Sequence, residues 1–185
     1  MKRIKIKAFM TVLLVTVGSS SNMARDQLVH HELQLSDTGH GLRLSIQLDA
    51  KVYNLHDVGS LTITLTNVGG TPISVYRKFG WGRSSSFLLS IADANGKPIE
   101  RTMLPDAHHS PPFSVEDFAS IKPGESIRLE RDLDVEGEEI KEPGVYTIRV
   151  WYHSPIPRRF APHGMNVWTK ENGVLRANAL SFRVE

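Results

Sequence analysis

From Leu42 onward the chain alternates. Leu42, Leu44, Ile46 and Leu48 are separated by polar residues, and Leu61, Ile63 and Leu65 are interleaved with Thr62, Thr64 and Thr66. The same period of two recurs at Phe87, Leu89 and Ile91, at Ile127 and Leu129, at Tyr146, Ile148, Val150 and Tyr152, and at Leu180, Phe182 and Val184. Successive side chains of a strand point to opposite faces, so each set lines one buried face. The β-branched and aromatic residues in these runs favour strands over helices. After residue 24 no segment carries an apolar stripe at helical spacing; the best helical candidate is the short stretch 115–118.

Turn chemistry separates the runs. Asn67-Val-Gly-Gly70 ends one strand, and Asn95-Gly96 predicts a two-residue hairpin turn of type I′, which needs positive φ twice. Pro123-Gly124 and Pro143-Gly144 both suit type II turns, with Pro presetting φ and Gly taking the positive value. Tyr146 stands two residues before a core position, where sandwich domains place a tyrosine corner, a hydroxyl bonded back to nearby backbone. Seven or eight short strands punctuated in this way predict an all-β fold: a single antiparallel immunoglobulin-like sandwich over residues 42–185. Residues 25–41 are expected to be a tether or a first edge strand.

The N-terminus reads differently. Lys2, Arg3, Lys5 and Lys7 make a basic start, residues 8–17 an apolar run, and residues 18–24 a stretch of mostly small residues. This is the pattern of a secretory signal peptide spanning residues 1–24, with cleavage expected between about residues 20 and 24. The apolar run falls short of the roughly 20 residues that a membrane-spanning helix needs, so no stable membrane span is expected once the leader is removed. Of the 22 Lys and Arg residues, four lie in this leader with no acid beside them. The remainder therefore carries 18 basic against 20 acidic residues, a net charge of −2, which argues against a nucleic-acid partner. The chain has no cysteine and no Asn-x-Ser/Thr acceptor, which excludes disulfides, thiolate metal sites and a lipidated cysteine. Together these features point to a bacterial periplasmic or secreted protein.

Enzyme signatures fail when tested. Gly80-Trp81-Gly82-Arg83 begins like a dinucleotide loop but lacks the third glycine and the surrounding βαβ unit, and His31-Glu32 lacks the second His of a zinc-protease motif. No nucleophile elbow or P-loop is present. The expectation is a non-enzyme without a cofactor. Asp106, His108 and His109 share one loop, and His163 and Met165 share another, residue types that suit copper or zinc if the two loops meet. A binding surface is the stronger reading. Trp81, Arg83, Arg158, Arg159, Phe160, Trp168 and Lys170 all fall in predicted loops, and Trp and Arg are over-represented at interface hot spots. The competing reading is that the two tryptophans fold back over the ends of the core.

The loops 79–85 and 154–173 act together only if an even number of strands separates them. Five predicted strands put them at opposite ends, whereas an irregular crossover at 113–121 leaves four and brings them together. Four stretches, Leu61-Thr-Ile-Thr-Leu-Thr-Asn67 with Pro72-Ile73, then Phe87-Leu-Leu-Ser-Ile-Ala-Asp-Ala-Asn-Gly96, Ile121-Lys-Pro-Gly-Glu125 and Pro143-Gly-Val-Tyr146, resemble bacterial exported immunoglobulin-like domains, most closely the domain of the Bacillus intracellular proteinase inhibitor type. The resemblance covers residues 60–152. It implies a sandwich and offers protease inhibition as an alternative to the leading reading, a loop-mediated binder of a protein or other envelope macromolecule.

Overall fold

The computed structural model describes residues 38–81, 85–99, 111–135 and 138–185. The leader at 1–24, Arg83, Asp106, His108 and His109 lie outside them. Eleven strands succeed one another among the described residues: β1 (Thr38–Gly39), β2 (Leu42–Leu48), β3 (Val52–Tyr53), β4 (Val58–Asn67), β5 (Ile73–Tyr76), β6 (Phe87–Ala92), β7 (Phe118–Ile121), β8 (Ser126–Asp134), β9 (Gly144–His153), β10 (Val174–Arg176) and β11 (Leu180–Val184). One sheet has the order β1-β2-β4-β8, all antiparallel. In the other, β9 is central, with β6 along one side and β10 and β11 in succession along the other. β3 closes that sheet in parallel with β11. Three consecutive strands in each sheet, β2-β4-β8 facing β6-β9-β11, give the A-B-E and C-F-G arrangement of an immunoglobulin-like sandwich.

The alternating positions meet between the sheets. Leu42, Leu44, Leu61, Ile63 and Leu65 from the first sheet pack with Phe87, Ile91, Ile148, Val150 and Tyr152 from the second in one buried cluster. A fully buried aliphatic side chain of this kind stabilises by about 1.5–3 kcal/mol. The strands of the alternating runs are present, but of the predicted strand 97–102 the described residues 97–99 make only a bridge to β6, and 113–121 is strand only over Phe118–Ile121. The additional ones are mostly two or three residues long, together with the ribbon of β5 and β7, whose first strand is buried at all four positions and so shows no alternation. The stretch 115–118 opens with a single 3-10 turn, Val115–Asp117, in which Asp117 Oδ2 accepts from the Ser114 amide at 2.9 Å.

Turn residues behave as their chemistry requires, with two corrections. Glu125 N–H donates to the Lys122 carbonyl at 2.9 Å across Pro123-Gly124, and Gly124 has φ +79°, a type II turn as expected. At Asn95-Gly96 only the glycine has positive φ. Gly96 N–H donates to the Asp93 carbonyl, and the Asp93 carboxylate accepts from the amides of Asn95 and Lys97. The side chain of Asp93 thus organises a four-residue turn closed by Gly96 instead of a two-residue type I′ hairpin. Gly144 likewise lacks positive φ and pairs directly with Val184 as the first residue of β9. The type I′ geometry appears instead at His40-Gly41, φ 43° and 86°, between β1 and β2.

Two polar side chains join separate parts of the sandwich. Asn67 is fully buried at the end of β4. Its Nδ2 donates to the carbonyls of Thr71 and Ile121, each at 2.8 Å, and its Oδ1 accepts from Gly69 N–H at 2.9 Å. Its backbone N–H donates to the Glu125 carbonyl, and its own carbonyl accepts from Gly124. Asn178, in the gap between β10 and β11, accepts from Ile46 N–H at 2.9 Å and donates to the Ile46 carbonyl at 3.1 Å, linking one sheet to the other. The tyrosine corner is present: Tyr146 donates its hydroxyl to the Glu142 carbonyl at 2.7 Å.

Asn67→Ala strands two carbonyls and an amide at a fully buried position and should cost about 3 kcal/mol, whereas Tyr146→Phe removes one hydrogen bond and should cost about 1 kcal/mol. Urea unfolding of the two variants beside the parent checks the order; equal losses would show that Asn67 is not a joint.

Candidate functional site

β6 and β9 are direct antiparallel neighbours, with Phe87 opposite Tyr152. The chain therefore enters β6 from residues 79–85 at the same end at which it leaves β9 into residues 154–173. The two loops share one end of the sandwich. Residues 97–99 contribute only a bridge to β6, and β7 belongs to the separate ribbon with β5, so the strict up-down order of five strands does not hold, and the β6–β9 register decides the placement.

The 154–173 segment is held along its length. Ser74 of β5 donates its N–H to the Asn166 carbonyl and accepts from Trp168 N–H, both at 2.8 Å, so residues 166–168 extend the β5–β7 ribbon as a parallel third member. Asn166 Nδ2 adds a bond to the Pro72 carbonyl at 2.8 Å. Further along, Lys170 N–H donates to the Ile156 carbonyl at 2.8 Å. The Glu171 carboxylate accepts from Arg158 N–H at 2.9 Å, fastening the 3-10 turn Arg158–Phe160 to the turn Lys170–Asn172. Trp168 is 2% exposed and packs edge-on to His40 and beside Tyr152. Trp168 is thus core, where the sequence reading had also placed it among binding residues; its indole fills the end of the sandwich and presents nothing outward.

Beneath this segment lies a second apolar cluster. Tyr76, Phe118, Ile156 and Val167 are buried, with Phe113, Phe160 and Met165 partly buried against them. Tyr76 meets Phe113 and Phe118 edge-on at 5.6 and 5.9 Å, and Phe113 meets Phe160 at 6.4 Å. The thioether of Met165 is committed to this packing, while His163 is exposed. Among the described residues no three His, Asp or Glu side chains stand close enough to share a metal ion.

The charged groups on this end divide into committed and uncommitted. Lys78 pairs with Asp117 at 2.8 Å, and Arg77 reaches the Glu116 carbonyl at 3.4 Å. Arg158 and Arg159 are exposed. The Arg159 guanidinium lies over the Phe160 ring, 4.8 Å from its centroid, and neither arginine has an ion-pair partner among the described residues.

Trp81 is half-buried and works as a cover. It stacks on Phe87 with centroids 5.3 Å apart, beside Phe79, and Arg131 sits over its ring at 4.6 Å. Arg131 projects from the inner face of β8, in step with Ile127, Leu129 and Leu133, and pairs with Glu138 at 2.6 Å; their side chains are 17% and 4% exposed. The sequence reading missed this trio. The signal was present in the register, because an arginine at a core-facing position of an alternating strand needs a buried partner. Four further buried polar atoms here, the hydroxyls of Ser85, Ser86 and Tyr152 and Trp168 Nε1, have no hydrogen-bond partner among the described residues. Burial pushes the Tyr152 phenol well above its ordinary range.

No family model matches the chain, and no curated protein matches its sequence. Solved structures give distant likenesses only. A β-glucosidase from Listeria innocua in complex with laminaribiose is 13% identical over 81% of this chain, which spans 16% of that enzyme, with a TM-score of 0.40. A CARDB domain from Pyrococcus furiosus in complex with di-metal ions is 15% identical over 88% of this chain and the whole of that domain, with a TM-score of 0.36. The alkylpurine DNA glycosylase from Pseudomonas fluorescens, bound to DNA containing an abasic site analog, is 12% identical over 77% of this chain and 30% of its own, with a TM-score of 0.38. Among the described residues no helix is long and apolar enough to cross a membrane.

Arg131→Met leaves a deeply buried carboxylate without its guanidinium and should cost about 3 kcal/mol. In a double-mutant cycle with Trp81→Ala, the pair should couple by about 0.5–1 kcal/mol, the worth of the cation–π contact; additive losses would show that the stacking contributes nothing. The carboxylates of Asp117 and Glu171 give a pH signature. Lys78 holds Asp117 below its ordinary 3.8, and backbone amides, its own and that of Arg158, hold Glu171 below its ordinary 4.5. A depressed pKa contributes stability that is present above the ordinary value and lost as pH falls through the depressed one. The urea midpoint should therefore be insensitive to these groups down to pH 4.5 and fall below it, and Asp117→Asn should flatten the acid limb.

Proposed function

We propose that this chain is an exported, non-enzymatic β-sandwich that binds a protein or other envelope macromolecule through the end of the sandwich where residues 79–85 and 154–173 emerge. One observation carries the reading: Arg158 and Arg159 are exposed and unpaired among the described residues, on a turn that is fastened to the sandwich. Nearby Lys78 and Arg131 have acidic partners. A guanidinium carried on a backbone-fastened turn, with no internal ion pair to break, is placed to meet a partner, which is why such residues serve as binding anchors. The lapse in polar satisfaction at Ser85, Ser86 and Tyr152 falls at this same end, and such lapses in native structures call for an explanation that function supplies. Export rests on the leader pattern, which lies outside the described residues.

The test uses the chain expressed with its own leader in a bacterium with two membranes. It should be recovered from the periplasm or medium, shortened at its N-terminus by mass spectrometry. Immobilised, it should capture at least one envelope macromolecule that the Arg158→Ala/Arg159→Ala variant captures about tenfold less, with the melting temperature of the variant unchanged. Capture that is identical for both proteins would sink the assignment of the surface. Trp81 is unsuited to this test because its loss uncovers the core.

A further inference from the structure

Building on that reading of the surface, we propose that Arg158 and Arg159 recognise an acidic protein segment in which a carboxylate side chain lies next to an apolar one. The guanidinium carbon of Arg159 lies over the Phe160 ring, 4.8 Å from its centroid, so the ring supports the cation from one side while the side chain remains exposed. A planar fork presented edge-on matches a carboxylate through two parallel hydrogen bonds, a match that a lysine ammonium does not make. The floor beside it is apolar but incompletely covered, since Phe113, Phe160 and Met165 are each only partly buried. Methionine and aromatic side chains at a partly open surface adapt to an apolar guest. Carboxylate reader and apolar floor are adjacent because Phe160 belongs to both.

The charges around the site favour a protein segment over the other anionic surfaces. A membrane-binding patch carries four to eight clustered basic residues, and nucleic-acid binding draws on a broad phosphate-neutralising surface. Here five basic residues, Arg77, Lys78, Arg158, Arg159 and Lys170, are interleaved with Glu116, Asp117 and Glu171, two of them already engaged with Glu116 and Asp117, and the acids would be repelled by a continuous negative sheet or backbone. Two arginines bordered by acids suit one or two discrete carboxylates.

The experiment is fluorescence anisotropy with the leader-free chain and a labelled peptide of three Glu-Phe-Gly repeats, at about 0.15 M salt, where exposed charges more than roughly 8 Å apart are screened. Binding should be at least about fivefold tighter than to the Gln-Phe-Gly or the Glu-Ser-Gly counterpart, as expected for charge-assisted bonds acting beside apolar contact. Arg159→Lys, which keeps the charge and loses the planar fork, should weaken it by about threefold or more, and Arg158→Gln/Arg159→Gln should abolish it, both variants retaining the parent melting temperature. Equal affinity for the Gln peptide, indifference to Arg159→Lys, or binding of phosphatidylglycerol vesicles without binding of the peptide would each overturn the proposal. If envelope capture depends on the arginines while the peptide fails, the surface stands and the acidic-apolar chemistry falls. If capture is also indifferent to them, both fall together.

Discussion

Asn67 is the point on which the two halves of the chain close. Every group it can offer is used. The side-chain amide donates twice, the side-chain carbonyl accepts once, and the backbone N–H and C=O clasp the turn that launches β8. Because it sits where β4 stops, ahead of the turn into β5, the same residue that ends the β4–β8 pairing also holds β7, through the Ile121 carbonyl, against the start of the ribbon. A buried amide satisfied this fully specifies one register, since a one-residue slip of β8 would leave its donors facing the wrong carbonyls and turn Leu129 and Leu133 outward. The first sheet and the β5–β7 ribbon are thereby built as one piece, and the ribbon is what the 154–173 segment docks on.

That docking explains why a twenty-residue connection in a compact domain is ordered at all. A long loop without secondary structure ordinarily stays mobile or serves a function. This one pairs with Ser74, drives Trp168 into the main core and Val167 into the second cluster, and fastens its own two turns through Glu171 and Arg158 N–H. Neighbouring residues 167 and 168 enter different apolar clusters, so the segment is pinned from both faces. The consequence for function lies between these anchors. Residues 158–160 are held at their backbone while the two arginine side chains stay in solvent, an arrangement that fixes position without consuming the charge.

Period two made the sandwich legible, because Leu61, Ile63 and Leu65 or Tyr146, Ile148 and Val150 can occupy one face only as strands. Pro123-Gly124 and the corner at Tyr146 were legible for the same local reason. β5 was not, since all four of its residues are buried and the alternation that announces a half-solvated strand disappears. The Asn95-Gly96 turn misled because Asp93, two positions upstream, supplies an acceptor that makes a longer turn the better solution. At the candidate site the sequence identified arginines and tryptophans as a group. Only tertiary pairing separates them: the β6–β9 register brings the loops to one end, and burial then removes Trp168 and commits Trp81.

Trp81 and Arg159 show how the same pair of chemical groups serves two ends. In both places a guanidinium lies over an aromatic ring. At Arg131 the charge is also paired with Glu138 in a nearly dry setting, where losing either member breaks a buried ion pair; the contact is structural and cannot be offered to a partner. At Arg159 the ring supports the cation from one side and the side chain is exposed with no ion pair among the described residues, so meeting a carboxylate there carries a small desolvation penalty. The difference is set by burial and by the presence of an internal acid, not by residue type, and it is why the 158–160 turn, rather than the Trp81 cover, is the surface proposed to meet another molecule.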